Sequence, residues 1–338
     1  MVTNCFAGKW IFACAGLLSL FFSSAVYSQA QRVNGDSRYP DTSYTTWSAF
    51  VNTRKTHPDI EIVPELKSNT IAEKRNITYQ ELWAGKIVLS LDAFYPAGKS
   101  PEKHPAIVII HGGGWRSGNR AQHHPLAQHL AARGYVCFTP EYRLSTLSPY
   151  PAAIHDLKRA LRWVVQHADK YHIDTSKIAV LGFSAGGELA AFLGTTTGDP
   201  KFEGYIRPKE QPAPIHAVVD IDGTLSFTHP ETGEGDDSKK ISSATYWLGY
   251  SRKDSLALWE EASPLAHVGP HTPPTLFINS SVARMHAGRE DYIKVLNQYK
   301  IYSAIKTFEN APHSFCLFQP WFQPTVTYID DFLKSVFK

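Results

Sequence analysis

The sequence alternates short apolar runs with stretches of helical periodicity from about residue 87 to its C-terminal end. A short apolar run bounded by Gly, Pro or polar residues is typical of a strand. Seven such runs predict strands over Ile87–Tyr95, Ala106–Ile110, Tyr135–Thr139, Ile178–Leu181, Ala217–Ile221, Thr275–Ile278 and Ala304–Phe308. Apolar positions spaced by three and four residues predict helices over Pro125–Arg133, Pro151–His167, Glu188–Leu193 and Val326–Val336. This alternation indicates an α/β domain with a mostly parallel central sheet and helices on both faces.

Two segments fall outside the alternation. Residues 31–74 are polar and irregular, which predicts a segment that wraps the outside of the domain. Residues 224–267 form a long insertion between two predicted strands and contain Trp247, Trp259 and an acidic stretch, Glu231–Asp237. Parallel strands present their carboxyl ends at one edge of the sheet, where α/β folds carry their sites. We therefore expect the insertion to form a cap over that edge.

The first 28 residues have the features of a secretory signal peptide. Lys9 supplies a positive charge, residues 10–22 are apolar or small, and Val26 and Ser28 occupy the −3 and −1 positions of a cleavage site. The apolar run is too short to span a bilayer. The sequence therefore predicts a secreted or periplasmic protein with residues 29–338 as a single mature domain and no membrane span after removal of the leader.

Composition and charge place the chain among globular proteins. Of its 338 residues, 43% are hydrophobic and 19% are charged, which is apolar enough to build a core and excludes a disordered or coiled-coil protein. The formal net charge of +3, from 34 basic and 31 acidic residues, gives no reason to expect a nucleic-acid partner. Cys5 and Cys14 lie in the predicted leader, and Cys137 and Cys316 alone do not make a disulfide framework.

The strongest chemical signal is the sequence Gly182-Phe183-Ser184-Ala185-Gly186, between a predicted strand and a predicted helix. A serine hydroxyl is a poor nucleophile unless it is activated by a base, and a tight turn exposes it for this role. The flanking glycines permit such a turn, and the helix N-terminus offers backbone N–H groups. This context predicts a catalytic nucleophile at Ser184 rather than an ordinary turn.

A second motif, His111-Gly112-Gly113-Gly114-Trp115, follows the predicted strand Ala106–Ile110. Glycines leave backbone N–H groups unobstructed, as stabilisation of a tetrahedral oxyanion requires. The N–H groups of Gly113, Gly114 and Ala185 are the expected donors, since no phosphate-binding sequence follows the glycines. The expected base is His313, in a loop after the last predicted strand, and His111 is expected to orient the glycine loop.

These motifs, with Pro140-Glu141-Tyr142-Arg143-Leu144 between them, resemble the α/β-hydrolase superfamily. Within it, the chain is most similar to secreted carbohydrate esterases and related carboxylesterases, from about Ile87 to Val336. The resemblance implies the α/β-hydrolase fold and hydrolysis of a carboxylic ester through a Ser–acid–His triad and an acyl-enzyme. It also implies that the reaction needs no cofactor and no metal.

The acid of the triad has more than one candidate. In most members of the superfamily it follows the seventh strand, but here the sequence from 278 to 284, Ile-Asn-Ser-Ser-Val-Ala-Arg, holds no carboxylate. Asp222, at the end of an earlier predicted strand, is the preferred replacement, and some lipases of the superfamily take their acid from that strand. Glu290 or Asp291, at the start of the next helix, is the other, although a helix dipole also favours acidic residues there.

The predicted substrate is an acetyl or methyl ester on an oligosaccharide or polysaccharide, with pectin and xylan as candidate backbones. Export and the esterase motifs motivate this prediction, and an exposed aromatic residue such as Trp115 is suited to stacking on a sugar ring. Arg284 and Arg289 are predicted to bind the carboxylate of an acidic sugar, since a guanidinium group donates two hydrogen bonds to a carboxylate. Ion pairing within the protein is the alternative for both.

Two other functions fit the same motifs. A general carboxylesterase or lipase for small acyl esters has the same triad under a broadly apolar cap. A catalytically silent binding protein is disfavoured, because Ser184 and His313 are both present. The sequence leaves the oligomeric state open.

Overall fold

The computed structural model describes residues 41–98 and 100–338. The predicted signal peptide and residues 31–40 of the predicted wrap lie outside the described residues. The strands in the described residues are β1 Glu61–Ile62, β2 Ile71–Leu82, β3 Ile87–Pro96, β4 His104–Ile110, β5 Val136–Pro140, β6 Ile173–Phe183, β7 Ala217–Ile221, β8 Thr275–Asn279, β9 Ser303–Thr307 and β10 Phe318–Gln319. The helices are α1 Thr46–Thr53, α2 His124–Ala131, α3 Ala152–Gln166, α4 Ala168–Tyr171, α5 Ala185–Thr195, α6 Pro200–Glu203, α7 Ser243–Leu248, α8 Leu256–Glu261, α9 Arg289–Gln298 and α10 Phe322–Val336. None of these helices has the length and apolar character needed to cross a membrane.

An eight-stranded sheet has the order β2-β3-β5-β4-β6-β7-β8-β9. The pairs β2–β3 and β3–β5 are antiparallel, and the pairs from β5–β4 to β8–β9 are parallel. β1 and β10 form a separate antiparallel pair. The predicted α/β-hydrolase fold with a mostly parallel sheet is confirmed.

The core lies on both faces of this sheet. Every residue of β5, β7 and β8 is buried, as expected of strands that helices cover on both sides. Leu157 of α3 and Leu189 of α5 belong to the apolar cluster on one face, and Leu126 of α2 and Leu333 of α10 belong to the cluster on the other. Cys137 is a buried free thiol within β5, in keeping with its prediction as a small hydrophobic residue.

The prediction of an irregular segment over residues 31–74 is wrong where the structure forms α1, β1 and the start of β2. α1 begins at a capping box in which Thr45 and Ser48 exchange hydrogen bonds. β2 begins at Ile71 and pairs with β3 as far as Leu82. Most side chains of β2 are exposed or half-buried because it is an edge strand. It therefore lacks the apolar alternation from which a strand is predicted.

The insertion between β7 and β8 carries α7 and α8. Trp247 of α7 and Trp259 of α8 are both fully buried, so this segment packs onto the domain through its aromatic residues. Lys240, Ser243 and Tyr246 of the segment line the cavity that opens at the carboxyl edge of the parallel strands. This is the edge over which the sequence predicts a cap.

Candidate active site

Ser184 lies in the turn between β6 and α5, with φ 57° and ψ −121°. A serine in this left-handed region is uncommon and marks a tight turn. The flanking glycines make the turn possible, because a Cβ on Gly182 would lie 1.9 Å from the carbonyl oxygen of Gly186. The N–H of Ser184 donates to the carbonyl oxygen of Ile221 at 2.8 Å, which joins this turn to the end of β7.

His313 lies in the loop after β9 and contacts both Ser184 and Asp222. Its Nε2 is 2.9 Å from Ser184 Oγ, and its Nδ1 is 2.9 Å from Asp222 Oδ2. Because a carboxylate only accepts hydrogen bonds, Nδ1 carries the proton and Nε2 accepts from the serine hydroxyl. In this geometry the imidazole can take the serine proton as the hydroxyl attacks a carbonyl carbon.

Asp222 is fully buried at the end of β7 and also has a left-handed backbone, with φ 51°. The last residue of β8 and the loop after it, which holds no carboxylate, supply the neighbours of Asp222. The N–H of Ser280 donates to Asp222 Oδ1 at 2.8 Å, Asn279 Nδ2 lies 3.5 Å away, and His286 Nε2 lies 3.6 Å away. Burial favours the neutral acid, but His286, His313 and Ser280 outweigh it and lower the pKa of Asp222 to about 2. Asp222 is therefore a carboxylate throughout the pH range in which histidines titrate.

The two other candidate acids are engaged elsewhere. Glu290 accepts hydrogen bonds from the guanidinium group of Arg289 and its side chain is 69% exposed. Asp291 lies 3.6 Å from His229 Nε2, and its side chain is 56% exposed. The structure therefore brings Asp222 to the histidine and does not bring Glu290 or Asp291 there.

The glycine loop after β4 lies beside the nucleophile turn. Gly113, Gly114 and Ala185 line the same cavity as Ser184. Gly113 has φ 126°, and a Cβ there would lie 2.3 Å from the carbonyl oxygen of Ser117, so only glycine fits. Ser117 fixes the loop, since its N–H and its hydroxyl both donate to the Gly113 carbonyl, at 3.0 and 2.7 Å. The three groups predicted to donate to an oxyanion thus share a cavity with the nucleophile.

His111, at the start of this loop, is buried, and its ring contacts are with Gly112 of the loop and with Tyr142. Its ring stacks on Tyr142 at 4.3 Å between centroids, and its Nδ1 lies 2.9 Å from the Gly112 carbonyl oxygen. Burial lowers the pKa of His111 to about 4. These contacts suit a residue that orients the loop.

The Ser184–His313 pair opens into a cavity of about 520 Å³, the size of a small-molecule site. Charged and aromatic side chains from the N-terminal segment, the glycine loop, the cap and the loop after β8 line it: Asp41, Tyr44, Arg116, Glu234, Lys240, Tyr246 and Arg284. Arg116 pairs with Asp41 at 2.8 Å, and its guanidinium group lies 4.2 Å from the centroid of the Tyr246 ring. Of these residues, the sequence predicts only Arg284. The signal for Arg116 is its place directly after the glycine motif, whereas nothing in the sequence marks Asp41.

Two predicted substrate contacts are not placed as expected. Trp115 is among the residues that line the cavity, but it is only 4% exposed and stacks on Trp247 with 4.8 Å between centroids, so the prediction of an exposed platform for a sugar ring is wrong. Arg289 does not line the cavity, because its guanidinium group donates to Asn279 Oδ1 at 2.6 Å. Arg284 does line the cavity.

A model of the BD-FAE family matches residues 91–285, which include both glycine motifs, Ser184 and Asp222. The chain belongs to the BD-FAE family. Over 172 residues this chain is 34% identical to the probable carboxylic ester hydrolase LipM of Mycobacterium tuberculosis. The match covers 50% of this chain and 39% of that protein. Over 146 residues it is 35% identical to carboxylesterase NlhH of the same species, covering 43% of this chain and 42% of that protein. The chain therefore spans about two fifths of the length of these curated relatives.

Solved structures share the fold over a larger part of the chain. A thermophilic esterase from the planctomycete Thermogutta terrifontis, with butyrate bound, is 25% identical with a TM-score of 0.63, covering 79% of this chain and 95% of that one. A truncated carbohydrate esterase from gut microbiota has the same TM-score of 0.63 at 21% identity, covering 80% of this chain and all of that one. At 21% identity, the similarity to the carbohydrate esterase shows a shared fold and nothing more.

Proposed function

We propose that the protein is a serine carboxylic ester hydrolase that removes acetyl or methyl groups from esterified oligosaccharides or polysaccharides. The observation that carries the proposal is His313, whose two ring nitrogens each lie 2.9 Å from an oxygen, one of Ser184 and one of Asp222. Membership of the BD-FAE family and relatives named as carboxylic ester hydrolases support the reaction. A structural neighbour named as a carbohydrate esterase and the predicted export of the chain support the substrate class.

The proposed reaction proceeds through an acyl-enzyme. Ser184 Oγ attacks the ester carbonyl carbon while His313 Nε2 takes the hydroxyl proton, and the backbone N–H groups of Gly113, Gly114 and Ala185 stabilise the oxyanion. The imidazolium then protonates the departing alcohol, which leaves the acyl group on Ser184. A water molecule attacks the acyl group with the same imidazole as base, and the carboxylic acid is released.

A general carboxylesterase for small acyl esters is the second candidate. The esterase similar to this chain binds butyrate, and other relatives are named carboxylesterases. The cavity argues against long acyl chains, because Arg116, Lys240 and Arg284 carry positive charges on its wall. Long apolar chains gain affinity from apolar rather than charged surface.

We expect the purified protein to release acetate from acetylated xylan or acetylated pectin, or methanol from methylated pectin, and to prefer p-nitrophenyl acetate to p-nitrophenyl octanoate. The charged cavity wall supports a short acyl group with a polar alcohol. Product release and kcat/KM values measure both preferences, with the Ser184→Ala variant as the blank. A higher kcat/KM for the octanoyl ester without product from any polysaccharide would contradict the carbohydrate substrate.

The charges of the cavity favour an acidic sugar such as a uronate. Arg284 Nη1 lies 4.0 Å from Glu234 Oε1, at the edge of ion-pair distance, and its side chain is 52% exposed. Lys240 is exposed on the same wall. Burial raises the pKa of Glu234, and the Ala244 N–H and the charge of Arg284 oppose that rise. The wall therefore offers two cations to a carboxylate on the substrate.

Lys240→Ala and Arg284→Ala are each expected to raise KM for acetylated pectin about fivefold, since a solvent-exposed ion pair contributes on the order of 1 kcal/mol. KM for the neutral acetylated xylan should stay within about twofold, and added salt should reduce the difference. Lys239→Ala is the matched control, because Lys239 is equally exposed but does not line the cavity. Equal effects on both polymers, or an equal effect of Lys239→Ala, would remove the acidic sugar from the proposal.

A further inference from the structure

Glu188 is a fully buried carboxyl group one helical turn after Ser184. Both residues are joined through α5, since the N–H of Glu188 donates to the Ser184 carbonyl at 3.1 Å. Glu188 Oε2 accepts a hydrogen bond from Trp115 Nε1 at 2.9 Å, and Oε1 has no hydrogen-bond partner among the described residues. Burying a carboxyl group with an unpaired oxygen is unfavourable, and an apolar side chain of similar size avoids that cost. The proposed reaction as described above gives Glu188 no role.

Trp115, the partner of Glu188, belongs to the glycine loop after β4, which is called the oxyanion loop from here on because Gly113 and Gly114 are proposed oxyanion donors. Trp115 directly follows Gly113 and Gly114 and has a left-handed backbone, with φ 58°. Its ring stacks on Trp247 of the cap at 4.8 Å and meets the Phe227 ring edge-on at 5.4 Å. Apolar packing of this kind confines the ring but does not fix its rotation and depth as a directional hydrogen bond does. The contact with Glu188 supplies that direction.

The hydrogen bond thus ties two parts of the site that are separate in sequence. One end is on α5, which begins directly after Ser184, and the other is on the residue that follows Gly113 and Gly114, which line the same cavity as Ser184. A shift of well under 1 Å in the distance between an oxyanion and its donors weakens the electrostatic stabilisation of the transition state. A group that fixes this distance acts on kcat without touching the substrate.

We propose that Glu188 is a positioning residue that holds the oxyanion loop at its working distance from Ser184 through the side chain of Trp115. The proposal rests on the proposed esterase function. Burial raises the pKa of Glu188 well above its ordinary value, the hydrogen bond from Trp115 opposes this rise, and the nearby Asp220 carboxyl adds to it. A neutral carboxyl group keeps an acceptor oxygen for the indole, so glutamine is a conservative replacement.

The test compares three single variants and one double variant on p-nitrophenyl acetate. Glu188→Leu removes the acceptor and Trp115→Phe removes the donor, so each should lower kcat about tenfold with KM within about twofold, as expected for a group that acts in the transition state. Glu188→Gln should retain kcat within about threefold. The double variant Glu188→Leu/Trp115→Phe should be no slower than the worse single variant, because both remove the same contact. Binding of an aryl trifluoromethyl ketone, which forms a tetrahedral adduct with the serine, should weaken in parallel with kcat/KM.

Glu203→Gln is the control for the loss of a buried carboxylate. Glu203 is as buried as Glu188 but pairs with Lys158 and Arg162, away from the glycine loop. This variant should lower the thermal unfolding temperature while leaving kcat unchanged. If Glu188→Leu does not fold, the kcat values of Trp115→Phe and Glu188→Gln still test the positioning role of Glu188.

Two results overturn the positioning role. One is a wild-type kcat in the Trp115→Phe variant, and the other is a multiplicative loss in the double variant. Either leaves the proposed function intact as long as the wild type hydrolyses esters. A wild type that hydrolyses no ester and whose Ser184 does not react with a phosphonate probe overturns the proposed function, and the positioning role with it.

Discussion

Replacing Ser184 with alanine is expected to lower kcat for ester hydrolysis by about five to six orders of magnitude, the loss found when the nucleophile of a serine hydrolase is removed. The variant cannot form the acyl-enzyme, while the glycine loop and the substrate cavity remain. KM should therefore change little. The measurement is kcat on p-nitrophenyl acetate, together with labelling by a fluorophosphonate probe and mass spectrometry of the labelled peptide.

Folding of this variant is checked by its thermal unfolding temperature, which should be equal to or above that of the wild type. Alanine is smaller than serine at a position where the backbone φ is 57°, so it introduces no new clash. Activity above about a hundredth of wild type, or probe label on a residue other than Ser184 in the wild-type protein, would contradict the assignment of the nucleophile.

Asp222→Asn is expected to lower kcat about 10⁴-fold, the effect of forcing the wrong histidine tautomer in a Ser–His–Asp triad. An asparagine amide in the same place can donate to His313 Nδ1, which moves the imidazole proton to Nε2. A protonated Nε2 no longer accepts the proton of Ser184. The measurement is kcat of the wild type and the variant as a function of pH. Because the pKa of Asp222 is about 2, protonation of this carboxylate should not lower the wild-type activity at mildly acidic pH.

Glu290→Gln and Asp291→Asn are the matched controls, since both were predicted as alternatives and both side chains are mostly exposed. Each should retain kcat within about twofold, as expected of surface charges outside the reaction. The assignment of the acid fails if Asp222→Asn is nearly as active as the wild type while one of the other two variants loses most of its activity.

Most of the fold could be predicted from the sequence because its central strands are buried on both faces. Such strands are uninterrupted apolar runs, so β4, β5, β7 and β8 coincide with predicted strands to within two residues at each end. β2 could not be predicted in this way, because an edge strand buries few side chains. The order of the strands across the sheet also required the structure, since it is set by how the helices cross over and not by any single segment.

In the candidate site too, residues in local motifs could be predicted from the sequence, and residues brought together by the fold could not. Ser184 and the oxyanion glycines are tied to local turns, which only particular residues can form, and those residues are readable as motifs. The choice between Asp222 and Glu290 depended on which side chain reaches His313 across the sheet edge, a distance that no local pattern encodes. The prediction that Trp115 is exposed fails because a tryptophan directly after a glycine motif carries no local pattern that separates a buried from an exposed ring. Its burial follows from its stacking on Trp247, which lies much later in the chain, in the insertion between β7 and β8.

The hydrogen bond between the N–H of Ser184 and the carbonyl of Ile221 has a further consequence. It places the attacking hydroxyl and its supporting carboxylate at the ends of two adjacent, directly paired strands, so one ladder of backbone hydrogen bonds holds both. The stretch from Ser281 to Ala287 therefore need not supply the acid, although His286 supports Asp222 from it and Arg284 lines the cavity. The exposed residues Ser281, Ala283 and Arg284 of that stretch can take new side chains that alter which alcohol is admitted, and engineering of selectivity has its natural starting point there.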